Sequence, residues 1–289
     1  MNLERVIVII PEYGKRSLTQ KCIRSIHQED VPISIFVGND AYPKPLEPLY
    51  DCIVINQPEN LGFATNVNIT TSFALSKFED LSKTAIVILN NDTEMVGNCI
   101  TQLAQKAADF GGIWGPAIEV GEYYYNPQIG YGPHRQMHGP GAFKNLPSNI
   151  IDRGLDIPLD MISGCCICMM AEVWLELGGF DCFNFRAYYE DDDICIRAKV
   201  LGWPVHLHLG SKLKHQVSSS YRAEDAPIDA INMARISKIN FIHKWPEVEW
   251  SPTGIYKYNQ SIECNDARLK YRGINHSEIF TNCLTNEKE

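Results

Sequence analysis

Four segments place polar side chains where chemistry is expected. In Ile88-Leu89-Asn90-Asn91-Asp92-Thr93, an apolar run leads directly into two amides and a carboxylate. A carboxylate of this kind suits Mg²⁺ or Mn²⁺, which keep waters and take substrate phosphates as further ligands. The same residues also suit an Asx turn that caps the next helix. The second segment is Tyr188-Tyr189-Glu190-Asp191-Asp192-Asp193, ahead of Arg197. Carboxylates in a first helical turn gain from the macrodipole. Four in succession repel one another and push at least one pKa upward, as a general base needs. His215, in Lys214-His215-Gln216-Val217-Ser218, could complete a metal site of oxygen ligands. A lone histidine is more often a surface or core residue. In Asn60-Leu61-Gly62-Phe63-Ala64-Thr65-Asn66-Val67-Asn68, backbone N–H groups opening a helix attract phosphate. Asn60 as a plain cap, with Gly62 allowing the turn, explains the same pattern.

Two further patterns are weaker. Cys165 and Cys168 have CxxC spacing, but no second pair sits at zinc-site distance. His206 and His208 share a strand face and could also bind metal, although packing is the expected role.

These groups need a frame, and periodicity supplies one. Val6 to Ile10, Ile33 to Val37, Cys52 to Ile55, Ala85 to Leu89 and Ile113 to Ile118 read as buried strands. Helical patterns alternate with them. The first, which Ser17 could cap, carries Leu18, Cys22 and Ile26; the second carries Phe63, Val67, Ala74 and Phe78. A third runs roughly from Gly97 to Phe110. Such alternation predicts an α/β fold with a mainly parallel sheet covered on both faces. The pattern breaks between Gly121 and Asp160, a tyrosine- and proline-rich stretch read as a loop, with 121–147 as a candidate lid. Beyond it, Met161 to Met170, Pro204 to Leu209 and Leu213 to Val217 read as strands. Glu190 to Leu201 and Pro227 to Lys244 read as helices, the latter with Ile228, Ile231, Ile239 and Ile242. After Trp245 and Pro246 the periodicity fades.

Composition excludes several classes. Against 26 Lys and Arg stand 35 Asp and Glu, a formal charge of −9, which argues against nucleic acid as a partner. An apolar content of 45% is that of a chain with a core. No apolar run reaches the roughly 20 residues of a membrane span, and no signal-peptide layout opens the chain. Ten cysteines, several within apolar runs, read as a reduced, intracellular, cytoplasmic protein, with the cytoplasmic membrane face open as a location.

Taken in order, VIVIIPEYG, PENLGFATNVN, VILNNDT, SGCCICMMAEVWLELGGFD, YYEDDDICIRAKVLGWPV and KHQVSSS resemble the family 2 inverting glycosyltransferases of GT-A fold. Within them the chain is most similar to the rhamnosyl- and galactofuranosyltransferase subgroup. The resemblance runs from Val6 to Trp245. It implies a GT-A domain over 1–245, with a nucleotide-binding half at 1–118, an acceptor and catalytic half at 119–245, and an appendage at 246–289. Asn90-Asn91-Asp92 stands at the family's DxD position, with Asn90 replacing its first acid and Asp92 implied as metal ligand. His215 matches a late metal-ligand histidine, so the resemblance implies Mn²⁺ or Mg²⁺. Asp191 takes the place of the catalytic base, with Glu190 beside it as second choice. Pro11, Glu12 and Tyr13 lie where nucleotide base and ribose are held, and Asn39 or Asp40 at the base contact. Asn60, Gly62 and Asn68 fall in the donor-binding turn. Ser163 and Gly164 border the donor sugar. Trp174, Gly179, Phe180 and Asp181 fall at the wall between donor and acceptor pockets.

The implied reaction moves a sugar from a nucleoside diphosphate to a saccharide or glycoconjugate hydroxyl, with inversion. Two alternatives stay open: a degenerate member that binds nucleotide or glycan without transfer, favoured by Asn90, and a sugar-phosphate nucleotidyltransferase, for which Gly14-Lys15-Arg16 is a poor nucleotide loop. The 246–289 appendage could serve acceptor binding, membrane-surface docking or self-association.

Overall fold

The computed structural model describes residues 3–40, 51–120, 123–125, 154–216, 230–250 and 256–258, with positions 262, 266 and 269. The chain starts with β1 (Arg5–Glu12), α1 (Arg16–Ile26), β2 (Ile33–Asn39), β3 (Ile53–Asn56) and α2 (Phe63–Leu75). It continues with β4 (Thr84–Leu89), β5 (Thr93–Val96), α3 (Cys99–Phe110), β6 (Ile113–Val120), β7 (Tyr123–Tyr125) and β8 (Asp156–Pro158). β9 (Cys166–Met170), α4 (Ala171–Leu177), α5 (Glu190–Val200), β10 (Val205–His215), α6 (Ala230–Lys244), β11 (Val248–Trp250) and β12 (Tyr256–Tyr258) follow.

The main sheet is mixed, in the order β3-β2-β1-β4-β9-β6-β10-β5, with β7 beside β6 and β8 beside β10. β1, β2, β3 and β4 are parallel, as the βα alternation predicts. β9 enters antiparallel between β4 and β6, and β10 is parallel to β6. From Val6 to Ile10 and from Thr84 to Leu89 every residue is buried, because strands covered on both faces are apolar throughout. α2 packs on β1 and β2, while α3 lies across β4, β6, β9 and β10.

Several boundaries differ from the sequence expectation. Ser17 does not cap α1; it lies inside the first turn, and the Lys15 carbonyl accepts from the N–H groups of Leu18 and Thr19. α3 starts at Cys99, where Glu29 from the loop between α1 and β2 accepts from Ile100 N and Thr101 N, both at 2.9 Å. Met161 to Met170 is not one strand: a turn closed by Cys166 N donating to Ser163 O precedes β9. The two expected late strands are one strand, β10, with an irregularity between His208 and Lys212. The 121–160 stretch contains β8, paired with β10, and β7, paired with β6. The rest of the candidate lid lies outside the described residues. The start of the Pro227–Lys244 helix, including Ile228, also lies outside them. No helix among the described residues is long and apolar enough to cross a membrane.

The second half is locked by buried charge. Asp193, fully buried on α5, accepts from Arg197 Nε at 2.8 Å and Trp245 Nε1 at 2.8 Å, and meets Lys244 Nζ at 2.6 Å. Arg197 also donates to the carbonyls of Leu177 and Gly179, closing the C-terminal end of α4. Lys244 reaches Asp181 at 2.8 Å as well. Burial acts to raise the Asp181 carboxyl, but Lys244 and Asn184 outweigh it and hold it below its ordinary value. Removing one partner of such a set strands the others as buried charges, at a cost of about 3–5 kcal/mol. Asp193→Ala is therefore expected to lower unfolding stability in urea by about that amount; a loss below about 1 kcal/mol would contradict the network's role.

Candidate active site

The site lies beyond the carboxyl ends of β1, β2 and β4, where an open α/β sheet leaves a crevice for ligands. Because β9 is antiparallel to β4, with Leu89 opposite Cys166, the turn before β9 comes to the same edge. β10 brings His215 there too, opposite Thr93 of β5.

The Ser163–Cys165 turn is the junction. Gly164 N donates to Asp191 Oδ2 at 2.8 Å, and a Cβ on Gly164 would stand 3.2 Å from that oxygen. Cys165 O accepts from Asn90 N at 2.9 Å, so the same turn also fixes the Asn90–Asp92 segment. Glu190 and Asp191 open α5 directly after Tyr188 (φ 67°) and Tyr189 (φ 69°). Left-handed backbone at two bulky residues costs of order 1–3 kcal/mol each, strain that concentrates at functional sites. Glu190 and Asp191 are both buried beside it.

His215 Nε2 lies 3.1 Å from Asp92 Oδ1. The contact is a close ion pair and not an aligned hydrogen bond, since the buried Nε2 has no hydrogen-bond partner of proper geometry. Burial acts to strip the imidazole of its proton, but Cys165 and Asp92 outweigh it and lift the pKa to about 10. A divalent cation would compete with that proton for the same two groups. The 3.1 Å separation matches neighbouring ligands of an octahedral ion with bonds of about 2.1 Å. Among the described residues, no group of three or more His, Cys, Asp or Glu converges as a metal site, so the remaining ligands would be water or substrate oxygen.

The residues expected on the donor side form a second set. Asp40 accepts from Leu61 N at 2.6 Å and Gly62 N at 2.9 Å, one oxygen each, and so shapes the Asn60–Gly62 turn. Burial raises its pKa against these two bonds. Asn39 Nδ2 donates to Asn56 Oδ1 at 2.8 Å. Glu12 is buried at the end of β1 with Oε2 lacking a hydrogen-bond partner; burial raises its pKa, opposed by Thr19 and Arg16. Thr19 also accepts from Asn91 Nδ2 at 3.1 Å, which ties the ends of β1 and β4 together. Pro11 is buried and Tyr13 half-buried at the same edge. Asn68 points elsewhere: it exchanges hydrogen bonds with the Phe180 backbone at 2.8 and 2.9 Å, pinning α2 to the Gly178–Asp181 turn.

Three residues outside the sequence expectation matter here. Arg186 Nη2 donates to both O and Oδ1 of Asn60 at 2.6 Å, and its own carbonyl accepts from Ala64 N. It thereby clamps the donor-side turn to the segment that leads into Asp191. Thr19 and Asn66 are buried polar groups on helices, with Asn66 Nδ2 donating to Gly38 O at 2.7 Å. No local pattern marks Arg186, whereas Asn66 and Asn68 are buried polar residues of α2 together with Thr70 and Thr71. The weaker patterns are structural: His206 stacks on Trp114 at 4.8 Å, and His208 Nδ1 meets Asp156 at 2.7 Å. Cys168 is a fully buried thiol whose pKa burial pushes far up, which suits packing rather than redox chemistry.

The profile described as glycosyl transferase family 2 matches residues 7–175, more than half of the chain. The chain belongs to this family. No curated protein matches it in sequence. Among solved structures, it is similar to GalNAc-T7 with UDP, GalNAc and Mn²⁺ (TM-score 0.55, 14% identity, 74% of this chain and 44% of that one). It is similar to the mannosyltransferase PcManGT from Pyrobaculum calidifontis with GDP-Man and Mn²⁺ (0.51, 15%, 75% and 58%). It is also similar to S. aureus TarS (0.51, 12%, 82% and 65%). The chain thus spans less than two thirds of each. At these identities the likeness is one of fold, and the architecture of this family 2 chain is of the GT-A type. The family match ends before Asp191 and His215.

Gly62 carries the sharpest steric demand in the site. Its φ is +84°, and a Cβ there would lie 2.3 Å from Arg186 Cγ. Gly62→Ala is expected to cost about 1–3 kcal/mol of stability in urea unfolding. A loss below about 0.5 kcal/mol would mean that neither the left-handed backbone nor the Arg186 clamp constrains this position.

Proposed function

We propose that this family 2 chain is a metal-dependent inverting glycosyltransferase that moves a hexosyl or deoxyhexosyl group from a nucleoside-diphosphate sugar to a saccharide or glycoconjugate hydroxyl. The observation that carries the reading is the Ser163–Cys165 turn, which contacts both Asp191 and the segment bearing Asp92. A base for the incoming hydroxyl and the metal-ligand segment for the departing diphosphate are thereby held by one short stretch of backbone.

Asp191 accepts the acceptor's proton as that oxygen attacks the anomeric carbon. Gly164 N–H on Oδ2 and Asp192 N–H on Oδ1 at 3.1 Å fix the carboxylate's plane. Glu190 lies beside it at the head of α5 as the second candidate for the base, and the transition state is oxocarbenium-like. Asp92 and His215 would hold Mn²⁺ or Mg²⁺, which supplies positive charge to the leaving diphosphate. Pro11, Glu12, Tyr13, Asn39 and the Asn60–Gly62 turn organised by Asp40 border the nucleotide, and Ser163 and Gly164 border the sugar. One displacement from the face opposite the diphosphate inverts the anomeric centre.

Asn90 at the first position of the acidic motif favours a second reading, a member that binds nucleotide sugar without transferring it. Asp191→Asn separates the two when turnover and donor binding are measured together. Loss of the base is expected to lower turnover by about 10²–10⁴-fold while nucleotide-sugar binding persists. Turnover equal to that of the unaltered protein would remove Asp191 from the mechanism. Binding by the unaltered protein without transfer to any of a broad acceptor panel would favour the second reading.

A further inference from the structure

The sequence of α6, AINMARISKINFIHK, carries apolar residues on more than one side, and the structure shows which side faces the protein. Ser237, Phe241 and Trp245 are buried at intervals of four. Ser237 Oγ donates to Ala187 O and Asn240 Nδ2 to Asn184 O, both at 2.7 Å, so the helix is seated on the segment that leads to Asp191. The opposite side bears Ile231, Ile236, Ile239 and Ile242, exposed by 76%, 54%, 55% and 42%. At 100° per residue, Ile231, Arg235, Ile239 and Ile242 fall on one stripe, with Ile236 and His243 along one flank and Lys238 along the other.

Four exposed isoleucines on one helix are more than scattered surface apolar residues require. Their neighbours show which occupant suits them. In a chain of net charge −9, α6 contains no Asp or Glu, whereas Arg235, Lys238 and His243 border the isoleucines. The nearest carboxylates in sequence are Asp229 and Glu247. Fields from acidic groups elsewhere decay over a Debye length of roughly 8–10 Å, so the local cations govern what approaches. A second copy meeting this face about a two-fold axis would set cations against cations, with no carboxylate on the helix to answer them.

We infer that the outer face of α6 docks the protein on an anionic lipid bilayer, with the isoleucines entering the interface and Arg235, Lys238 and His243 meeting the headgroups. An in-plane helix with an apolar stripe and flanking cations has the chemistry for this, and its anchoring on residues 184–187 sets the catalytic segment close to the lipid surface. The inference does not depend on the transfer chemistry.

The experiment is co-sedimentation of the full chain with vesicles of phosphatidylcholine alone or mixed with phosphatidylglycerol, without nucleotide. Partition into the anionic vesicles and not the neutral ones is expected, weakening as salt is raised. Arg235→Glu with Lys238→Glu is expected to reduce partition at least about tenfold, since each basic residue near the surface is worth roughly fivefold. Ile239→Ser with Ile242→Ser is expected to reduce it to a similar extent, with the melting midpoint unchanged because these side chains are exposed. The inference is overturned if the chain ignores anionic vesicles, or if neither double variant alters partition. It is also overturned if sedimentation velocity shows a dimer that the isoleucine variant dissociates, which would assign the face to self-association.

Discussion

The arrangement of the site depends on a single buried carboxylate. Asp193 answers two cations, buried Arg197 and partly buried Lys244, and accepts from the buried Trp245 indole. A buried charge set of this kind adds little net stability over a hydrophobic equivalent, but it tolerates very few arrangements. Here it joins the end of α4, the first turn of α5 and the end of α6. Asp193 is two residues from Asp191, so the network that fixes one sets the direction of the other.

Given that anchor, the catalytic edge assembles from backbone more than from side chains. Antiparallel entry of β9 returns the chain to the carboxyl end of β4, and the turn ahead of it is small enough for Gly164 N–H to reach Asp191. The left-handed Tyr188 and Tyr189 absorb the sharp change of direction into α5. Arg186 then clamps the donor-side turn to the same segment. Asp191, the segment bearing Asp92 and the Asn60–Gly62 turn are therefore held through shared backbone.

Much of this was legible in the sequence, for physical reasons. Strands buried on both faces are continuous apolar runs, so β1 and β4 were evident, and Asp92 stood out because it ends such a run. The clustered carboxylates at 190–193 exceeded the needs of helix capping. What separates them was not legible: Asp191 faces Gly164, whereas Asp193 neutralises buried cations, and that division is set by tertiary contacts with residues as distant as Trp245. The Ser163–Gly164 break before β9 was masked by the apolar residues on either side. Arg186 and Thr19 carry no local pattern, since their partners lie far away in sequence. Ser17 misled because a good cap residue can sit two positions past the actual cap, which is Lys15. The isoleucines of α6 have helical spacing, and spacing does not say which face meets the core.

The central claim is that the Asp92–His215 pair and the nucleotide turn together receive a metal-bound nucleotide sugar. Thermal stabilisation by UDP-, dTDP- and GDP-linked sugars, each with Mn²⁺, Mg²⁺ or EDTA, tests it most directly. A ligand that binds only the folded chain adds about 2.7 kcal/mol at a hundred times its dissociation constant. A clear rise in melting midpoint with one nucleotide family in the presence of a divalent ion, abolished by EDTA, is expected. No rise with any nucleotide under any condition would contradict it.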